Sequence, residues 1–308
     1  MPFPSGDPKY TERSLVLRSG LRVRTVESVG ELAPAPLVLL LPGWGCSAYS
    51  YRHALPALAA AGFRAVAAEL KGAGFSDKPS SPSEYTRESL VAQVMDIIDE
   101  LGADRLSLVG HSMGGGIAVR VALEAPTRMT RLVLIAPTNL GGLRLIRFAR
   151  PLLPAALRRI APYIAVRPLF WVLLRAVYGD LSKPTRNDVD EYHAPSKDPA
   201  FARAQHSLLR EYDWTPIDDG VLSQLQVPTL LIYGTRDRFV MRDGMERLVR
   251  LAPFVKTHIV AGAGHSLPEE APALVNPLIV KFLLAQNSDL AARNSHSTTG
   301  ARMDGRGT

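Results

Sequence analysis

At 308 residues, 46% hydrophobic and 21% charged, the chain is long enough for a substantial core in one large domain or two smaller ones. Its composition is that of a water-soluble globule and excludes collagen-like and disordered classes. No uninterrupted apolar span reaches membrane length, and MPFPSGDPKYTERS has no apolar signal-peptide core, so neither a transmembrane segment nor a secretory leader is expected. The single cysteine, Cys46, excludes an intrachain disulfide and fits a reducing compartment, so the expected location is cytoplasmic.

The net charge of +7 is concentrated. Arginines 144, 147, 150, 158, 159, 167 and 175 fall between Gly141 and Gly179 with no Asp or Glu among them. Such a stretch is either a solvated helix face or a site for an acidic partner, an acidic carrier or an anionic lipid. Nucleic acid is not expected as a partner, because no zinc, RNA-binding or helix-turn-helix signature is present.

In chain order, residues 1 to 9 are Pro/Gly-rich and predicted disordered. Ser14 to Leu17 and Leu21 to Val26 alternate as an antiparallel hairpin does. Short apolar runs follow at Leu37–Leu41, Ala65–Leu70, Leu106–Val109, Leu132–Ala136, Thr229–Tyr233 and His258–Val260. Between most of them lie helical patterns such as Leu90, Val94, Ile97, Ile98 and Leu101. Strands alternating with helices predict βαβ units and a mainly parallel sheet covered on both faces. The interval from Thr138 to Pro216 is too long for one helix; its Leu-, Arg- and Pro-rich sequence, with Leu145, Ile146, Ala149 and Leu153 at helical spacing, predicts an inserted helical cap. The core is then 10–137 plus 217–285, and the polar segment 286–308 a disordered tail.

The segment LSLVGHSMGGGIA, residues 106 to 118, sets Ser112 at the end of a strand among glycines. Glycines ease a strand-to-helix corner, but a serine on such a corner is also an exposed nucleophile. A hydroxyl needs a base, and the base needs an orienting group. His265, in VAGAGHSLPEE, follows the last predicted strand. His111 reads as packing beside the serine, and His53, His193, His206, His258 and His296 have no comparable setting. Asp237, in TLLIYGTRDRFV, follows a buried-looking strand and is the acid candidate, with Asp243 a weaker substitute. The order Ser, Asp, His, each after a successive strand, is that of a catalytic triad on an α/β sheet. Oxyanion donors are expected from the backbone N–H of Met113 and of Trp44 in LVLLLPGWGCSAYS; the latter is equally a glycine turn with a tryptophan over the core. No His/Cys/carboxylate cluster has metal-ligand spacing, so neither metal nor cofactor is expected.

With GHSMGG, GTRDRFV, GAGH, LPGWGCS and ELKGAGFSDKP in this order, residues 13 to 285 resemble the α/β-hydrolase family, in its serine-nucleophile branch with a helical cap. The resemblance implies the α/β-hydrolase fold and hydrolysis through an acyl-enzyme. Two positions depart from the family pattern: Glu69 stands where an Asp is usual, and Pro42 precedes Gly43 where the family commonly has His. The family's nucleophile distinguishes its subclasses, and Ser112 in place of Asp argues against haloalkane dehalogenases and epoxide hydrolases. A carboxylic ester of a largely hydrophobic small molecule is the leading substrate. Phe170 and Trp171 are cap candidates for binding it, although the cap's own core needs such residues too. A thioesterase or acyl-carrier ester hydrolase and a C–C bond hydrolase use the same triad. A non-catalytic ligand-binding protein of this fold is the reading from another class.

Overall fold

The computed structural model describes residues 2–29, 35–142 and 154–297. Its strands are β1 (Thr11–Val16), β2 (Arg22–Val29), β3 (Leu37–Leu41), β4 (Arg64–Ala68), β5 (Leu106–His111), β6 (Met129–Ile135), β7 (Thr229–Gly234) and β8 (Val255–Val260). They form one sheet in the order β1-β2-β4-β3-β5-β6-β7-β8. β1 and β2 pair antiparallel, as do β2 and β4, and β3 to β8 are parallel.

The helices are α1 (Ala54–Ala60), α2 (Arg87–Glu100), α3 (Met113–Glu124), α4 (Leu157–Ile164), α5 (Arg167–Val177), α6 (Arg186–His193), α7 (Pro199–Glu211), α8 (Asp219–Leu222), α9 (Arg242–Leu251), α10 (Leu267–Glu270) and α11 (Pro272–Ser297). Alternation along β3 explains how both faces of the sheet are covered. Leu39 and Leu41 point into one core with Leu90, Val94 and Ile98 of α2 and Ile117 of α3. Val38 and Leu40 point into the other with Leu55 and Leu58 of α1 and Ile279 of α11. A strand buried on both faces has no polar side to display, hence the continuous apolar runs.

The cap, α4 to α7, is inserted between β6 and β7. Its two ends are tied together by Asn139, which is fully buried and has φ 62°. The Asn139 amide donates to the carbonyls of Asp213 and Thr215, both at 2.8 Å, and its oxygen accepts from the Tyr212 hydroxyl at 2.8 Å. The expected helical pattern over Leu145, Ile146, Ala149 and Leu153, and Arg144, Arg147 and Arg150, lie outside the described residues.

Two expectations about the ends are corrected. The N-terminal segment is packed: the Phe3 ring sits edge-on to Tyr10 and Tyr49, and the Phe3 N–H donates to Glu191 on the cap at 2.9 Å. The Phe3 carbonyl in turn accepts from the Arg24 guanidinium, so the segment is held by polar as well as aromatic contacts. At the other end α11 continues to Ser297, past the boundary expected at residue 285.

Candidate active site

The corner between β5 and α3 is tight. A Cβ on Gly110 would lie 2.5 Å from the Gly114 carbonyl oxygen, and one on Gly114 would lie 2.2 Å from the Leu41 carbonyl oxygen. Both glycines are therefore required for helix α3 to start directly against β5 and the end of β3. Ser112 takes the strain, with φ 54° and ψ −120°, a backbone conformation that disfavours any side chain. Its N–H donates to the Ile135 carbonyl and its carbonyl accepts from Thr138 N–H, both at 3.0 Å, so the turn is held from both sides.

The structure brings Ser112, His265 and Asp237 together across more than 150 residues of chain. The Ser112 hydroxyl lies 2.8 Å from His265 Nε2, and His265 Nδ1 lies 2.8 Å from Asp237 Oδ2. With Nδ1–H donating to the carboxylate, Nε2 is left to accept from the hydroxyl. The other Asp237 oxygen accepts from the N–H groups of Phe239, at 2.8 Å, and Val240, at 3.1 Å. Burial opposes ionisation of Asp237, but the His265 imidazole and these N–H donors outweigh it and hold the carboxyl below its ordinary range. Asp243, the alternative acid, accepts from Gly244 N–H at the start of α9 and makes no bond to the imidazole.

His111 lies against the back of this arrangement. Its Nε2 is 2.9 Å from the His265 carbonyl and its ring is 5.1 Å from the His265 ring. Burial, with the neighbouring His265, pushes its pKa down to about 3, so it is neutral and donates to that carbonyl. The reading of His111 as packing is thus sharpened to a strut under the histidine loop. A second support comes from Glu270, whose buried carboxylate accepts from Gly264 N–H at 2.8 Å and from Gly179 and Asp180 N–H at 3.0 Å. It joins the loop before His265 to the end of α5. The His265 N–H itself donates to the Val177 carbonyl at 2.7 Å.

The loop after β3 lies beside Ser112: a Cβ on Gly43 would lie 3.0 Å from the Ser112 Cβ. Gly45, at φ 74°, and the Cys46 N–H to Gly43 carbonyl bond close the turn. Among the described residues, neither the backbone N–H of Trp44 nor that of Met113 donates to another protein group. Glu69 supports the turn that follows this loop. Its carboxylate accepts from Ala48 N–H at 3.0 Å, Phe75 N–H at 2.7 Å and the Arg24 guanidinium at 2.7 Å. The Trp44 indole N–H donates to the Gln205 carbonyl at 3.3 Å, tying the same loop to α7 of the cap. Burial pushes the nearby Cys46 thiol up to about 12, which removes it as a competing nucleophile.

Phe170 and Trp171 pack with Leu174, Tyr178, Val189 and Tyr192 of the cap and Tyr49 of the core in one apolar cluster between the two. Phe170 is edge-on to His193, and the Arg175 guanidinium lies over the Trp171 ring. No hydrogen bond or ring contact joins them to Ser112 or His265 among the described residues. Sequence reasoning missed Asn139, Gln205 and Glu270, since single polar residues in loops and helices carry no signal without their partners.

Fold and site geometry together define a hydrolase. Residues 36–170 match the family described as alpha/beta hydrolase fold. The chain is 30% identical over 284 residues to epoxide hydrolase 3 of Xenopus tropicalis, covering 86% of this chain and 75% of that protein. It is 27% identical to the haloalkane dehalogenase of Psychrobacter cryohalolentis, over 92% of this chain and 94% of that one. The crystal structure of a meta-cleavage product hydrolase variant superposes with a TM-score of 0.73 at 25% identity, covering 89% of this chain and 98% of that one. The chain belongs to the α/β-hydrolase fold family.

Proposed function

We propose that this protein is a serine hydrolase that cleaves a carboxylic ester of a largely hydrophobic small molecule through an acyl-enzyme. The observation that carries the reading is the continuous hydrogen-bonded line from the strained Ser112 hydroxyl through His265 to Asp237, 2.8 Å at each step. In the first step the Ser112 oxygen attacks the ester carbonyl carbon while His265 Nε2 takes its proton. The carbonyl oxygen becomes an oxyanion facing the N–H groups of Met113 and Trp44. Collapse breaks the bond to the alcohol, which leaves with the proton from His265. In the second step His265 removes a proton from water, the hydroxide adds to the acyl carbon, and the carboxylic acid departs as Ser112 regains its proton. Asp237 stabilises the imidazolium formed in each step. Neither step needs a metal or a cofactor.

The relatives named for epoxide and haloalkane chemistry do not carry that chemistry to this chain. Displacement at an alkyl carbon by a carboxylate gives an ester that water can cleave. The same displacement by Ser112 would give an ether, which a histidine–aspartate pair cannot hydrolyse, and turnover would stop. A C–C bond hydrolase is the second reading, favoured by the likeness to the meta-cleavage product hydrolase.

Mass spectrometry after treatment with a fluorophosphonate tests the reading. A single adduct on Ser112, absent in Ser112→Ala and much reduced in His265→Ala, is expected. No adduct on the folded protein would overturn it in favour of the ligand-binding alternative. A panel of acyl esters set against β-diketone-like compounds then separates the two hydrolytic readings.

A further inference from the structure

The two helices that open the described part of the cap present apolar residues to water. On α4, Ile160, Tyr163 and Ile164 recur at the three- and four-residue spacing that aligns side chains on one face, and Tyr163 is 81% exposed. On α5, Leu169, Val172 and Leu173 repeat that spacing, with Val172 62% exposed. The helices meet at 91° across Ala165 and Val166, and Val166 is exposed as well. Only Ala161 of α4 and Leu174 of α5 are buried. In the same cap, α7 buries Phe201, Ala202, Ala204 and Leu208, so this exposure is not a general property of the insertion.

Within α4 and α5 themselves the charge has one sign, and the acid that meets it comes from α6, where Asp190 pairs with Arg167 at 2.5 Å. From residue 154 to 179 there are four arginines, Arg158, Arg159, Arg167 and Arg175, and no Asp or Glu. We propose that this elbow is a docking surface for an anionic lipid bilayer, with the apolar stripes entering the acyl boundary and the arginines meeting the phosphates. Adjacent exposed apolar side chains rimmed by cations are the composition of an interfacial helix. A second copy of this chain would set arginine against arginine. A folded acidic partner would be recognised through directional polar groups, and these stripes supply one hydroxyl, that of Tyr163. A fluid apolar phase beneath an anionic headgroup layer fits better.

The surface connects to the chemistry. Helix α5 ends at Val177, whose carbonyl accepts from the N–H of His265 and of Ser266. If the esterase reading holds, on which this consequence rests, the substrates are acyl esters that partition into the bilayer.

The test is co-sedimentation of the full chain with vesicles. Phosphatidylcholine alone is compared with vesicles in which about one third of the lipid is phosphatidylglycerol, at low salt and at ~1 M salt. Sedimentation with the anionic vesicles at low salt is expected, with at least tenfold weaker partitioning on phosphatidylcholine or at high salt. Arg159→Glu lowers partitioning by about fivefold or more. Ile164→Ser and Val172→Ser each weaken it severalfold, with circular dichroism unchanged. The proposal is overturned if folded wild type does not sediment with anionic vesicles. It is overturned equally if the serine variants bind as wild type does, or if a soluble acidic carrier protein binds more tightly than the vesicles. Fluorophosphonate labelling of the same samples without lipid reports on Ser112 separately, so failure of docking and failure of the serine reading are distinguishable.

Discussion

The cap has two halves that treat their side chains in opposite ways. Where it meets the core it buries charge. Arg52 pairs with Glu269 at 2.5 Å and with Asp188 of α6 at 2.9 Å, Tyr49 donates to Asp188 at 2.7 Å, and Tyr192 donates to Glu269 at 2.5 Å. Along α4 and α5 it instead leaves aliphatic residues in water. Buried polar groups demand particular partners at particular distances, so they specify how the cap sits over Ser112. An exposed apolar stripe demands only a dry surface, and so leaves its counterpart to another phase. One half defines a geometry and the other an interface.

The contrast can be broken most directly at its catalytic end. Ser112→Ala should lower kcat by about 10⁶-fold with circular dichroism unchanged, and Asp237→Asn by about 10⁴-fold, read on whichever ester is turned over. A smaller loss would mean that the three side chains do not act as a unit. Next in size is the buried charge. Glu269→Ala leaves the Arg52 guanidinium short of its main partner and should cost about 3–5 kcal/mol in a denaturant titration. Asn139→Ala, which orphans two carbonyls at the cap's exit, should cost about 1–3 kcal/mol.

A further effect depends on pH. The folded His111 pKa is depressed to about 3, below its ordinary value, so its contribution to stability is present above about pH 6.5 and is lost as pH falls towards the folded value. Stability should then fall by up to about 1.4 kcal/mol per pH unit between pH 6 and 4, and His111→Gln should flatten that slope. The smallest effect is expected on the open half. Val172→Ser should change the unfolding free energy by less than about 0.5 kcal/mol, whereas Leu174→Ser, two residues on but buried, should cost several times more. Equal losses at the two positions would show that the stripe on α5 is covered in solution.

Much of the site could be read along the chain because its chemistry follows strand ends. Ser112, Asp237 and His265 each come after an apolar run and within three residues of a glycine, and those signals are local. β8 was only half legible: Lys256, Thr257 and His258 lie on an exposed edge strand, where polar side chains interrupt the apolar run that identifies its interior neighbours. The packed N-terminus was missed because its partners, Tyr49 and Glu191, lie far along the chain. The supports of the histidine loop escaped for a related reason: Glu270 is recognisable only once Gly179, Asp180 and Gly264 are brought to its carboxylate.

By itself, then, the amino-acid sequence determined the alternation of strands and helices, the glycine-relieved corner at Ser112 and the acid-free stretch of the cap. Each follows from periodicity, backbone conformation or charge within a few neighbouring residues. Only the tertiary structure decided that Asp237 rather than Asp243 reaches His265, that the Gln205 carbonyl holds Trp44 of the loop after β3 while Glu69 holds the turn beyond it, and that Phe170 and Trp171 pack between cap and core while Val172 faces water. Those outcomes depend on hydrogen bonds and burial between residues distant in the chain, and no local pattern specifies which distant groups will meet.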